Sequence, residues 1–331
     1  MIDSRGSTIS NAAAFYLWPL VLIDDSVTGG SIQLEGEVFR RTLRQGISVK
    51  VLREGIFVFD FSNRPADEAP HDKSAVAFDT NVGRVVRRVS VMNAYLACFY
   101  TAFYRLQQTA THVMRIPHSD LQQFGSLDDP SLEQIARGCP DVFIRAVRTD
   151  SNWRLAPRSV VVRIDTIEAS FQQFDLVLDE QRTDMIALAD LYLWSCLACS
   201  EHDYSLALIT AWATIEKLLS LLWSEYVDEN RGRQASNEAR PFISKERRGR
   251  LRSTRDFTAS VIAEILSLSG RLPFSLYCDL SEIRKARNAW IHDLKPTSRQ
   301  TARSAISAAE KMLFLALGLE FQIPFVSRIS V

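Results

Sequence analysis

From Glu180 onward the chain is poor in proline, and its apolar residues recur at spacings of three and four. That period leaves room for little except packed helices. A first helix is expected from about Arg182 to Ser200. A second runs from about Tyr204 to Tyr226, with Leu208, Trp212, Ile215, Leu219 and Leu222 on one face. A polar connection, Asp228 to Arg255, precedes a third helix at about Phe257–Leu268, which Gly270 is suited to stop. A fourth spans about Phe274–His292 and is ended by Pro296. Ser298 can cap a fifth, Arg299–Leu317. Five helices with short joints, apart from one long loop, make an up-and-down bundle.

The first part of the chain has a different rhythm. Ile47, Val49 and Val51 alternate with Ser48 and Lys50, the period of a half-buried strand. Ile56–Phe61 follows Arg53-Glu54-Gly55, so a hairpin is expected there. Ile32–Phe39 is a weaker strand, and Ala12–Ile23 an apolar run that is either strand or helix. Asn63–Lys73, with two prolines and several charges, reads as an exposed loop. Val89, Met92, Leu96, Phe99 and Phe103 mark an amphipathic helix within Val85–Gln108. Pro130 suits the start of a short helix at Ser131–Arg137. Val160–Ile164 reads as a strand, and Ile167–Leu178 as either helix or strand. The fold class is therefore α+β: a mixed α/β domain over 1–178 that senses or docks, then an all-α bundle over 179–331.

Length and composition agree with two packed domains. The chain has 331 residues, 47% of them hydrophobic, and 39 basic residues balance 39 acidic ones. A neutral total excludes a wholly basic nucleic-acid coat but not a local patch. Five irregularly spaced cysteines make a poor disulfide framework and suit a reducing compartment. The apolar N-terminal run meets Asp24 and Asp25 too early to span a membrane, and no basic stretch precedes it. The expectation is a soluble, cytoplasmic protein without membrane contact.

The fourth helix ends in Arg287-Asn288-Ala289-Trp290-Ile291-His292. Arginine is permanently cationic and grips phosphate through paired hydrogen bonds. Histidine exchanges a proton near neutral pH. Together they suit metal-free cleavage of RNA, in which the ribose 2′-hydroxyl is the nucleophile and the phosphorane charge must be balanced. Leu276, Leu280, Ile283, Arg287, Trp290 and Leu294 form one stripe, so Arg287 stands where an apolar residue would be expected. Arg284, Asn288 and His292 share a neighbouring face. Arg287 and His292 are five apart and diverge on a straight helix; two motifs meeting across a two-fold axis would make one composite site. The bare Arg-x4-His spacing is a weak pattern. Asn directly after the Arg, late in a helical run, makes it sharper.

The arrangement resembles the HEPN family (higher eukaryotes and prokaryotes nucleotide-binding). Its members are bundles of four or five helices with an Arg, a polar residue and a His on a late helix, which Arg287, Asn288 and His292 match. Ala211-Trp212-Ala213-Thr214-Ile215-Glu216-Lys217 also resembles the Trp…Glu helix of the Apea-like subgroup. The resemblance covers roughly Asp179 to Leu317. It implies a metal-independent endoribonuclease without cofactor, active as a homodimer, that leaves a 2′,3′-cyclic phosphate and a 5′-hydroxyl. It implies a toxin or antiviral-defence role such as abortive infection, with an antitoxin or activating partner. RNA is the expected substrate, tRNA or another structured RNA by family habit.

Each residue also has a plainer reading. Arg287 could be a salt-bridged structural cation, His292 a helix-terminal histidine favoured by the dipole, and Asn288 a surface residue. Glu216 is expected to pair with Arg287 or Arg284, and more as support than as catalyst. Between Arg231 and Arg255, nine basic residues face two acids. Arg247, Arg248, Arg250 and Arg252 there are either an RNA-backbone clamp beside the site or part of a solvated loop. Cys196-x2-Cys199-x2-His202 lacks a fourth ligand, and the cysteines fit a packed helix better than zinc. No nucleophilic triad, phosphate loop or dinucleotide glycine pattern is visible. The rival to the enzyme is a catalytically silent dimerisation or partner-binding module, in which His292 would be buried and tied up by hydrogen bonds.

Overall fold

The computed structural model describes residues 11–17, 21–24, 37–53, 55–64, 77–109, 113–118, 121–129, 160–179, 184–230, 245–251 and 257–324. The expected helix at Ser131–Arg137, most of the 63–73 loop and the 32–36 part of the weak strand lie outside them. The chain divides into two compact units, Met1–Leu193 and Trp194–Val331. The sequence placed the boundary at 178/179; the structural division falls inside a helix that starts at Met185.

In the first unit the described strands are β1 (Ala12–Tyr16), β2 (Val21–Asp24), β3 (Glu37–Thr42), β4 (Ser48–Leu52), β5 (Ile56–Asp60), β6 (Gln122–Phe124) and β7 (Val160–Arg163). Five of them form an antiparallel sheet in the order β3-β4-β5-β1-β6, and β2 pairs with β7 in parallel. The apolar N-terminal run is thus two strands in different sheets. Two helices complete the unit: α1 (Ala77–Gln107) and α2 (Ile164–Val177), which settles the second ambiguous segment as helix. The described part of the weak strand, from Glu37, is strand and runs on to Thr42 as β3.

β4 alternates as its sequence requires, with Val49 and Val51 buried and Ser48 and Lys50 partly open. Gly55, at φ +83°, turns β4 into β5, and its amide donates to the Leu52 carbonyl at 2.9 Å. β5 is central, and Ile56 to Phe59 are all buried because both faces of the strand are covered. One face joins Ile56 and Val58 to Ala12, Ala14, Leu52, Phe124 and Leu127. The other presents Phe57 and Phe59 to rings from both helices. Tyr95 of α1 stacks on Phe171 of α2 with centroids 4.4 Å apart, and Phe59 meets Tyr95 at 5.5 Å. The Tyr95 hydroxyl and Ser170 Oγ lie 3.1 Å apart, so the one polar tip in this cluster is satisfied. Gly46 is required by its turn before β4: a Cβ there would collide with the Asn63 carbonyl.

In the second unit the helices are the end of α3 (Met185–Ser200), then α4 (Tyr204–Glu229), α5 (Lys245–Leu251), α6 (Ala259–Leu268), α7 (Phe274–Asp293) and α8 (Arg299–Leu317). The two capping expectations hold. Ser298 Oγ accepts from the Thr301 amide at 3.1 Å, and Gly270 adopts φ +73° just past α6. Asp203 caps α4 by accepting from the Leu206 amide at 3.0 Å. The expected loop 228–255 contains α5, which the apolar period could not reveal because the segment has almost no apolar residues. Of the helices among the described residues, α4 alone is long and apolar enough to cross a membrane by length and composition. Here it is the hub of the unit, with α6, α7 and α8 packed around it. Ala302, Ala305, Ala308 and Ala309 of α8 are buried, and such small side chains allow close helix approach.

Phe171→Ala removes the ring that joins both helices to the sheet. It is expected to destabilise the N-terminal unit by about 3–5 kcal/mol, read as a lower urea midpoint with an unchanged slope; a midpoint within error of the parent would refute the role given to this cluster.

Candidate active site

Helix α7 starts as a core helix and ends as a surface one. Leu276, Leu280 and Ile283 are buried. Beyond Ile283 the same stripe leaves the core: Arg287 and Trp290 are half-buried, and Leu294 is 75% exposed. Arg287 therefore does not put a charge into a sealed interior, which resolves the conflict seen in the sequence. His292 is exposed, and Asn288 is half-buried.

Arg287 Nη1 donates to Asn288 Oδ1 at 3.0 Å, so the asparagine orients the guanidinium and not the imidazole. Arg287 Nε is buried without a hydrogen-bond partner. No carboxylate among the described residues pairs with Arg287 or Arg284. The expected pairing of half-buried Glu216 with either arginine is not formed. An arginine held by a neutral neighbour keeps most of its donors for an anion. On a regular helix, five residues place Arg287 and His292 about 140° apart in azimuth and about 7.5 Å apart along the axis. Arg284, Asn288 and His292 share a side. One chain thus displays the two groups in different directions.

The helix ends in a strained cap immediately after His292. Leu294 adopts φ +51°, a conformation costly for a side chain with a Cβ. Its amide donates to the Trp290 carbonyl at 2.9 Å, and the Lys295 amide reaches the Ala289 carbonyl at 3.3 Å. These bonds close the last turn and fix the level at which His292 leaves the helix. Ile291 is 39% exposed, so an uncovered apolar surface lies beside the motif.

The basic segment is only partly described. Arg252 lies outside the described residues. Arg247 and Arg250 are exposed on α5, whereas Arg248 is paired with Asp228 at 2.7 Å. Trp223 Nε1 donates to the Leu251 carbonyl at 2.6 Å, and the Trp223 ring stacks on Phe257 and Tyr226. These contacts dock α5 on the C-terminal end of α4. Arg271, just ahead of α7, is tied to Glu229 at that same end. Within one chain α5 is therefore near the start of α7, roughly 27 Å along the axis from His292, and not beside the motif as the sequence had suggested.

Among the described residues no three His, Cys, Asp or Glu side chains converge as a metal site. Cys196 and Cys199 are buried in α3, and His202 Nδ1 lies 2.7 Å from the Tyr204 hydroxyl. Burial pushes the Cys199 thiol above its ordinary range. Comparison of the chain with models of protein families, with curated proteins and with solved structures finds no match. The functional reading therefore rests on the residues themselves.

Leu294→Gly relieves the left-handed strain at a position with little burial to lose. A stabilisation of about 1 kcal/mol is expected, measured as a higher midpoint of thermal unfolding; an unchanged or lower midpoint would show that the cap is not strained.

Proposed function

We propose that the helical unit is a metal-independent endoribonuclease of the HEPN type, whose active site takes Arg287 and His292 from two copies of the chain. The observation that carries this reading is the state of the two side chains. Arg287 has no acidic partner among the described residues and His292 is open to solvent, on the end of a helix whose apolar stripe leaves the core. The silent-module alternative expects a buried, hydrogen-bonded His292, and the exposed imidazole weighs against it.

The chemistry follows from the groups. His292 takes the proton of the ribose 2′-hydroxyl as the oxygen attacks the adjacent phosphorus. The bond to the 5′-oxygen breaks, and that oxygen takes a proton from solvent water, to which His292 then returns the proton it took. Arg287, held by Asn288, balances the charge that builds on the phosphorane oxygens. The products are a 2′,3′-cyclic phosphate and a 5′-hydroxyl, and no metal is needed because the RNA supplies its own nucleophile. The exposed Ile291–Leu294 surface is the place for a second copy, whose motif would complete the site despite the divergence of the two groups on one helix. Arg247 and Arg250 of α5, near the start of α7, would touch the backbone of a longer RNA. The biological role that fits such an activity is growth arrest as a toxin or defence effector, held in check by an antitoxin or by an activating signal read by the N-terminal unit.

Purified full-length protein is expected to cut labelled RNA in EDTA. His292→Ala and Arg287→Ala should each lower the rate at least about 100-fold with unchanged circular dichroism. Mixing the two inactive variants should restore about a quarter of the activity, because half the dimers then hold one intact composite site. Full activity in either variant would end the enzyme reading, and no rescue on mixing would end the composite one.

A further inference from the structure

One turn before Arg287, α7 borders a small cavity against α4 and α6. Trp212 enters it from α4, Ala259 and Ser260 from the first turn of α6, and Tyr277, Ser281 and Arg284 from α7. It encloses about 20 Å³, room for one atom the size of a water or a phosphate oxygen.

Three of the groups around it are donors: an indole N–H, the first-turn amides of a helix and a guanidinium. Trp212 is only 3% exposed, and its indole N–H is buried with no hydrogen-bond partner. Indole can only donate, so nothing but an acceptor can satisfy it. The N-cap of α6, Thr258, makes no side-chain bond to the first turn. Ala259 and Ser260, which line the cavity, belong to the first turn of that ten-residue helix, whose amides have no side-chain capping oxygen. Arg284 is half-buried and forms no ion pair among the described residues. Among the described residues no acid lines the cavity, and Glu264 nearby on α6 is engaged by the Tyr277 hydroxyl. A helix N-terminus, an orphaned indole and a guanidinium together select an anion, and the size selects one of its oxygens.

We propose that this cavity is an anion subsite that takes a phosphate oxygen of an RNA strand lying along α7. It rests on the ribonuclease reading for the source of the phosphate. Arg284 precedes His292 by eight residues, about 12 Å along the helix axis. A phosphate held here lies outside the scissile position, on the side of α7 that leads toward α5. The subsite would set the register of the strand before cleavage.

The test uses the full chain labelled with 15N, with the Trp212 indole resonance identified by its loss in Trp212→Phe. Inorganic phosphate and a 2′-O-methyl RNA oligonucleotide, which lacks the attacking hydroxyl, are titrated separately. Both are expected to shift that resonance. Arg284→Gln should remove the response to phosphate, weaken oligonucleotide binding about tenfold and reduce its salt dependence by about one phosphate contact. A resonance silent to both ligands, as a cavity holding only water would give, overturns the proposal, as does wild-type binding by Arg284→Gln. A response to phosphate alone overturns RNA as the source. If both ligands shift the indole while unmodified RNA stays intact, the subsite stands and the ribonuclease reading falls. If RNA is cut but the indole stays silent, the reverse holds.

Discussion

The second unit depends on burial of one helix. α4 carries twelve buried residues, among them Leu208, Trp212, Ile215, Leu219, Leu222 and Trp223. Such a wide apolar face needs several partners. α8 takes part of it through closely spaced alanines, α6 covers another part with Ile262, Ala263 and Leu266, and α7 reaches it only through Leu276, Leu280 and Ile283. Once those three have found the hub, nothing requires the rest of α7 to be buried. The helix continues past the core, and the chemistry-bearing residues lie on the stretch that packing does not claim.

The N-terminal unit solves a different problem. Its central strand is apolar on both faces, and among the described residues helices cover one of them. Aromatic rings from α1 and α2 fill that side, while Ala12 and Ala14 of β1, Phe124 of β6 and Leu127 after it close the other. β3 and the turn after it are held to α2 by polar links: Arg41 Nη2 to Asp175 at 3.0 Å, and Gln45 Nε2 to the Leu178 carbonyl at 2.8 Å. These bonds fix the edge of the sheet to the helix that carries Phe171.

Elements with strong periodicity or explicit punctuation were legible in the sequence. α8 lies between Ser298 and Gly318, and α7 between Pro273 and the Pro296 break, because caps and stops are local chemistry. α5 was not legible: Lys-Glu-Arg-Arg-Gly-Arg-Leu has no apolar stripe and an internal glycine, and its anchor is Trp223, far away in the chain. β6 is three residues long and exists as a partner to β1. In the site, the identity and spacing of Arg287, Asn288 and His292 could be read directly. Their exposure could not, since it depends on where the bundle ends, and neither could the missing Glu216 pair or the distance to α5. The cavity was invisible because Trp212, Ser260 and Arg284 are brought together from three helices.

The unsatisfied groups of this unit are informative as a set. Among the described residues of this unit Trp212 Nε1, Arg248 Nε, Arg287 Nε and Thr297 Oγ1 are buried without a hydrogen-bond partner; Arg248 lies on α5, and the other three lie on α7 or on segments that adjoin it. Leaving a buried donor unpaired costs roughly 1–3 kcal/mol each, and a fold that only needed a stable bundle could replace them with apolar groups of similar shape. The same helix carries the strained cap at Leu294 and the uncovered Ile291. α7 thus combines one orphaned donor, a strained cap and exposed apolar surface at its C-terminal end, costs that its packing against α4 does not offset.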